Sequence, residues 1–199
     1  MVLIAYDNDP NTELHDFFDS CGCEARQICA DYNLQWNTFT PPNLTADNIA
    51  DSIIDGTICV IAAHGDNKGI YNEAGNDIIS LQTTNYNFKG KGLYSISCYC
   101  AQDLSPHLLG LGACLFVGYS NELKLRGDIT PFVTCVMSGL RSLLSGDNIK
   151  TSHNVMLSVY DQQIELLDKT NPIESLLLLH NKESLVVKGD DNLNIHSFN

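Results

Sequence analysis

The chain has 199 residues, 44% of them hydrophobic and 18% charged, a composition that excludes a disordered, fibrous or low-complexity protein and suits one α/β-sized domain over residues 1–199. Twenty-four acids against eleven bases leave a formal charge of −13, a sign that repels phosphate backbones and anionic lipid and excludes nucleic acid as the main ligand. No window reaches the roughly 18 uncharged apolar residues of a membrane span, and the opening Met1-Val2-Leu3-Ile4-Ala5-Tyr6-Asp7 lacks the basic start and apolar length of a signal peptide, so a cytoplasmic protein with no membrane partner is expected.

Val2 to Tyr6 is an apolar run ended by the turn cluster Asp7-Asn8-Asp9-Pro10, and it reads as a buried strand. A helix follows, with Asn11 as its cap, Leu14, Phe17 and Phe18 at helical spacing, and Cys21-Gly22 as its stop. Glu24 to Tyr32 is read as a second strand. Leu44 to Ile49 has the marks of a helix start: Thr45 caps, Asp47 suits the positive helix end, and Leu44 staples onto Ile49. Ile49, Ile53 and Ile54 are its expected buried face.

Thr57 to Ala63 is apolar throughout with no polar alternation, as in a strand covered on both faces. It closes in His64-Gly65. A stretch rich in Gly and Asn follows to Asn76, then Asp77 to Ser80, and the chain returns through Lys89-Gly90-Lys91-Gly92 to the run Leu93-Tyr94-Ser95-Ile96-Ser97, which closes in Cys98. Further on, Ser105 to Leu111 reads as helix and Ala113 to Tyr119 as strand. Two longer helices are expected within Ile129 to Leu144 and Asn154 to Leu167, and Leu185 to Lys188 is expected to be an edge strand. Strands alternating with helices predict βαβ units and a mostly parallel sheet.

Five of the eight cysteines, Cys29, Cys59, Cys98, Cys114 and Cys135, lie inside apolar runs. In a chain without an export signal they read as reduced thiols, most of them small buried hydrophobes. The close pairs Cys21-Gly22-Cys23 and Cys98-Tyr99-Cys100 lack the spacing and the accompanying histidines of a zinc site. Neither a metal nor another cofactor is expected.

In an open parallel sheet the ligand crevice lies beyond the carboxyl ends of the strands. Three of the best strand candidates end there with reactive residues: Asp7, His64 and Cys98. A free thiol is only a few per cent ionised at neutral pH, so it needs a neighbouring imidazole or a helix start to become a ready nucleophile. His64 supplies the first and the helix expected after Cys98 the second. Gly65, having no side chain, lets a substrate carbonyl approach the backbone, so that the Gly65 and Cys98 N–H groups together hold a developing oxyanion. Cys100 is the rival nucleophile.

The block Ile58-Cys59-Val60-Ile61-Ala62-Ala63-His64-Gly65, followed by Leu93-Tyr94-Ser95-Ile96-Ser97-Cys98-Tyr99-Cys100-Ala101, resembles the caspase-like cysteine peptidases, the clan of caspases, metacaspases, gingipain-type and CHAT-type proteases. The helix, Gly-Ala turn and strand over Leu108 to Tyr119 resemble the segment after the nucleophile in bacterial members. The resemblance covers residues 57 to 121 and the rest in outline. It implies a three-layer α/β sandwich, a mostly parallel sheet with helices on both faces. It also implies a metal-free dyad: His64 as general base or acid, Cys98 as nucleophile, Gly65 with Cys98 as oxyanion donors. Relatives of metacaspase type hold a basic P1 side chain with acids near the first strand and the nucleophile; Asp7, Asp9 and Asp103 are the corresponding candidates, and cleavage of a protein or peptide after Arg or Lys is the implied activity. The chain departs from the family in having Ser97-Cys98-Tyr99-Cys100 in place of the strict caspase motif and a short His-to-Cys interval.

Two readings of other classes stand beside this one: a catalytically inactive caspase-like interaction module, and a flavodoxin-like small-molecule binder. Gly118-Tyr119-Ser120-Asn121-Glu122 lacks the second glycine of a nucleophile elbow, and Gly110-Leu111-Gly112 lacks the third glycine of a dinucleotide site. Control by a separate regulatory protein is expected, since no inhibitory extension is evident.

Overall fold

Apolar runs with no polar alternation become the middle strands of a sheet covered on both faces. The computed structural model describes residues 1–53, 58–82 and 87–197. Its elements are β1 (Val2–Tyr6), α1 (His15–Asp31), β2 (Trp36–Phe39), α2 (Ala46–Ser52), β3 (Ile58–Ala62), β4 (His64–Gly65), β5 (Gly69–Tyr71), β6 (Asp77–Ser80) and β7 (Gly92–Ile96). They continue with α3 (Leu104–Gly110), β8 (Leu115–Tyr119), α4 (Thr130–Leu144), α5 (Ile149–Asp168), α6 (Pro172–Ser184), β9 (Leu185–Gly189) and a 3-10 turn at Ile195–Ser197. The main sheet has the order β2-β1-β3-β7-β8-β9. Its strands are parallel except β9, which runs antiparallel to β8.

Every residue of β1, β3, β7 and β8 is buried, and alternate residues serve opposite faces. Ile4, Tyr6, Val60, Ala62, Tyr94 and Ile96 pack with α1, α4 and α5 on one side, joined by Leu178 of α6. Leu3, Ala5, Cys59, Ile61 and Leu93 pack on the other side with Ile49 of α2, Leu104 and Leu108 of α3, and the isoleucines of β5 and β6. The result is the three-layer α/β sandwich with helices on both faces that the sequence predicts. Between β3 and β7 the chain makes a small antiparallel sheet, β4-β5-β6, where an ordinary crossover would place a helix.

Several expectations need correcting. The segment read as a strand over Glu24 to Tyr32 is helix as far as Asp31, the second half of α1, because Phe17, Phe18, Cys21, Ala25, Ile28 and Cys29 form one buried helical stripe. Gly22 marks a close approach to β1, where a Cβ would collide with the Tyr6 ring, and not a stop. The strand neighbouring β1 is instead β2, an edge strand whose Trp36 to Thr38 are exposed and so carry no apolar signal. Asn11 does not cap α1: its N–H and Nδ2 bond to Asp9 Oδ1 within the preceding turn. Thr45 does cap α2, accepting from the Asn48 N–H at 3.3 Å. α5 starts at Ile149, capped by Asn148, earlier than expected. α6, capped by Asn171 with Pro172 in its first turn, has no counterpart among the expected elements. Ile54 and Thr57 lie outside the described residues. Among those residues no helix is long and apolar enough to cross a membrane.

Candidate active site

β3 and β7 are parallel neighbours whose matched pairs run from Ile58 with Gly92 to Ala62 with Ile96. His64 lies two residues past Ala62 and Cys98 two residues past Ile96, so both leave the same end of the sheet at the same level. Residues two apart in a strand share a face, and the surroundings agree. The His64 ring meets Phe18 of α1 edge-on, with centroids 5.4 Å apart and planes at 88°, and Cys98 packs against the core cluster that contains Phe18. Tyr71 of β5 also neighbours the imidazole, its ring 6.0 Å away and nearly parallel.

Gly65 brings the two segments into backbone contact. A Cβ at this position would lie 2.7 Å from the Cys98 carbonyl oxygen, 2.8 Å from Ser97 Cβ and 3.3 Å from the Cys98 nitrogen, so only a residue without a side chain fits. The two peptide groups expected to hold an oxyanion are therefore side by side. The turn that presents Cys98 is sharp. Tyr99 has φ +56°, a left-handed conformation that is uncommon outside glycine and recurs at functional turns.

The imidazole is held through one nitrogen. Nε2 lies 2.7 Å from Thr12 Oγ1 and 3.0 Å from Glu73 Oε2, and Nδ1 has no hydrogen-bond partner among the described residues. A Glu73 carboxylate accepting from Nε2–H fixes the tautomer that leaves the Nδ1 lone pair free to take a proton. No hydrogen bond joins His64 to Cys98. The Cys98 sulfur instead accepts from the Leu123 N–H at 3.3 Å. Its burial pushes the thiol above its ordinary value, a displacement that the Leu123 N–H opposes and Glu122 increases.

Cys100 is fully buried, its sulfur 3.3 Å from both Ser95 Oγ and the Ser97 carbonyl oxygen, to which the thiol donates. Burial pushes it up to about 11. It is a packing residue out of reach of a peptide.

The three acids expected to receive a basic side chain lie apart in role. Asp7 is 0% exposed; Oδ2 accepts the Glu73 N–H at 2.5 Å and Oδ1 the Asp9 N–H at 3.2 Å. Asp7 ties the end of β1 to the segment carrying Glu73. Asp9 accepts from Asn11 in its own turn. Asp103, exposed at the start of α3, accepts from Asn67 Nδ2 of the β4–β5 turn at 3.0 Å, which links the segment after Cys98 to the segment after His64.

Sequence reasoning missed Thr12, Tyr71, Glu73 and Leu123. Glu73 sits in the Gly- and Asn-rich stretch, where no periodicity marks it, and Leu123 acts through its backbone. A groove of about 900 Å³ between α1, α4 and α5 contains none of these side chains; Arg141 on its wall is closed off by ion pairs to Glu24 and Asp31, each at 2.8 Å. Among the described residues no group of three or more His, Cys, Asp or Glu is arranged to hold a metal.

No protein-family model matches the sequence, and no curated protein is similar to it. In fold the chain is similar to the Arg-specific cysteine proteinase gingipain R, with a TM-score of 0.67 at 10% sequence identity. The match covers 99% of this chain and 48% of the gingipain chain, so this chain spans about half the length of that structure. Identity this low shows a likeness of architecture alone: the chain shares the α/β fold of that structure.

Proposed function

We propose that the chain is a cysteine endopeptidase in which Cys98 is the nucleophile and His64 the acid-base group. The observation that carries this reading is the contact of Gly65 with the Cys98 peptide at the end of two parallel strands in register. The thiol proton passes to His64, the sulfur attacks the scissile carbonyl, and the charge on its oxygen is met by the N–H groups of Gly65 and Cys98. The imidazolium then protonates the departing amine. Water, giving a proton to His64, hydrolyses the thioester and restores the thiol. Neither a metal nor another cofactor takes part.

Asp103 and Asp9 favour a basic P1 side chain, and the substrate is a protein or peptide cleaved after Arg or Lys. A separate regulatory protein is the proposed control. The absence of a hydrogen bond between thiol and imidazole, together with burial of the thiol, favours a second reading, a catalytically inactive interaction module. A fluorogenic peptide panel separates the two. Turnover after Arg or Lys that Cys98→Ala abolishes supports the peptidase. Turnover only after Asp or a small apolar residue removes the basic preference, and no turnover, with slow labelling of Cys98 by iodoacetamide, leaves the inactive module.

A further inference from the structure

The segment Ser120–Lys124, which follows β8, runs between the nucleophile turn and α6 and is bonded to both. Toward the turn, the Asn121 carbonyl oxygen accepts the Tyr99 N–H at 3.1 Å, the Ser120 carbonyl oxygen accepts Gln102 Nε2 at 2.8 Å, and the Leu123 N–H donates to Cys98 Sγ. Toward α6, the Ser120 N–H donates to the Ser184 carbonyl oxygen at 2.8 Å, and His180 Nε2 lies 3.1 Å from the Glu122 carbonyl oxygen. The firmest link is Asn181. Its Oδ1 accepts the Lys124 N–H and its Nδ2 donates to the Lys124 carbonyl oxygen, both at 2.8 Å. Asn181 is 1% exposed, so its carboxamide is withdrawn from water and depends on these two bonds for its partners. The carboxamide matches both groups of one residue, and only Asn or Gln offers a donor and an acceptor so spaced.

We propose that Asn181 is a positioning residue for the nucleophile: by gripping the Lys124 backbone from α6 it aims the adjacent Leu123 N–H at Cys98 Sγ, where that donor stabilises the thiolate. Asn181 touches neither substrate nor sulfur. An N–H directed at a sulfur favours its ionised form, and here it opposes the burial that holds the thiol protonated. Besides His64, the acid-base group of that reading, the charged or titratable groups near the sulfur are Glu122 and Lys124 on the same segment, Tyr71 on β5 and Cys100 beneath the turn. The role assigned to Asn181 rests on the peptidase reading of Cys98, yet its physical content is the ionisation of one thiol, which is measurable without any peptide substrate.

The test is the pH profile of iodoacetamide alkylation, followed peptide by peptide in the full chain, for the unsubstituted protein and for Asn181→Leu. The exposed Cys23 of α1 serves as an internal reference. The rate at the alkaline plateau reports access to the sulfur, and the midpoint reports ionisation. The expected result is a midpoint for Cys98 raised by about one pH unit, which makes alkylation about tenfold slower at neutral pH, with the Cys23 profile unchanged. A folded variant whose Cys98 midpoint does not move overturns the proposal, and so does a change confined to the plateau, the signature of mere loosening. Should Asn181→Leu fail to fold, the backbone amide of Leu123 is followed by NMR in the unsubstituted protein and in Cys98→Ser. A Leu123 shift that titrates with the alkylation midpoint and is lost in Cys98→Ser supports the assignment; a flat one overturns it. Peptide turnover with an unmoved Cys98 midpoint refutes the Asn181 role alone, whereas a moved midpoint without turnover refutes the peptidase reading alone.

Discussion

The Cα of Gly65 faces the Cys98 peptide so closely that a methyl group there would lie 2.7 Å from the Cys98 carbonyl oxygen. Contact at that distance is repulsive, and the atoms opposing it are backbone, which cannot swing aside. Gly65→Ala is therefore expected to destabilise the protein by about 1–3 kcal/mol, the usual range for overpacking, and to lower turnover by displacing Cys98. Gly110→Ala is the control: nothing lies within 4 Å of a Cβ at that helical position, and the substitution is expected to stabilise slightly, by up to about 1 kcal/mol, with activity unchanged. Urea unfolding and peptide turnover of both variants check the pair.

Glu73 and Thr12 hold the same nitrogen of His64. Glu73→Gln preserves the Glu73 backbone bond to Asp7 but removes the anion that accepts from Nε2–H. Acid-base assistance of this kind is worth about 10²- to 10⁴-fold, and loss of the orienting partner alone is expected to lower kcat about tenfold with KM unchanged. Thr12→Val gives a smaller loss in the same direction. An unaltered kcat in Glu73→Gln shows that the carboxylate is a bystander.

Cys98 and Cys100 differ in burial, not in distance along the chain. Cys98→Ala is expected to reduce turnover by about 10³-fold or more, as removal of a nucleophile does, while the unfolding midpoint stays near that of the parent. Cys100→Ala leaves a hole beneath the turn and against Gly118; it is expected to cost about 1 kcal/mol of stability and to keep turnover. The reverse pattern identifies Cys100 as the nucleophile.

Buried thiols make the fold sensitive to alkali. Burial pushes Cys59 up to about 12 and Cys100 up to about 11 from 9.0. Above pH 9 the unfolded chain releases these protons and the folded chain keeps them, so the unfolded state binds fewer protons and stability falls as pH rises. Each fully buried thiol contributes a loss of up to about 1.4 kcal/mol per pH unit, beginning near pH 9 and ending when the folded group itself ionises. Urea midpoints measured at pH 8, 9 and 10 are expected to decline across the last interval. A flat midpoint to pH 10 contradicts the burial of both sulfurs.

The middle of the sheet is legible in the sequence because β1, β3, β7 and β8 are covered on both faces, and a strand so placed must be apolar throughout. The same logic exposes His64 and Cys98 as the polar and reactive residues at which two such runs end. Local patterning misleads at Gly22, where a glycine inside a helix accommodates the Tyr6 ring and not a helix end, and it is silent on β2, whose exposed edge position demands no apolar residues.

The linear order of residues by itself therefore determined the covered core and the two reactive residues at its rim, since burial of apolar runs is a local requirement written into composition. Only the tertiary structure decided that β3 and β7 lie side by side, that Glu73 and Thr12 converge on one imidazole nitrogen, that Asp7 turns inward, and that a carboxamide on α6 grips the segment bonded to Cys98. Those are meetings between residues up to 66 positions apart, as with Asp7 and Glu73. Hydrogen bonds made across such separations leave no periodicity in the chain, and they exist only once the packing of the sheet has brought their donors and acceptors together.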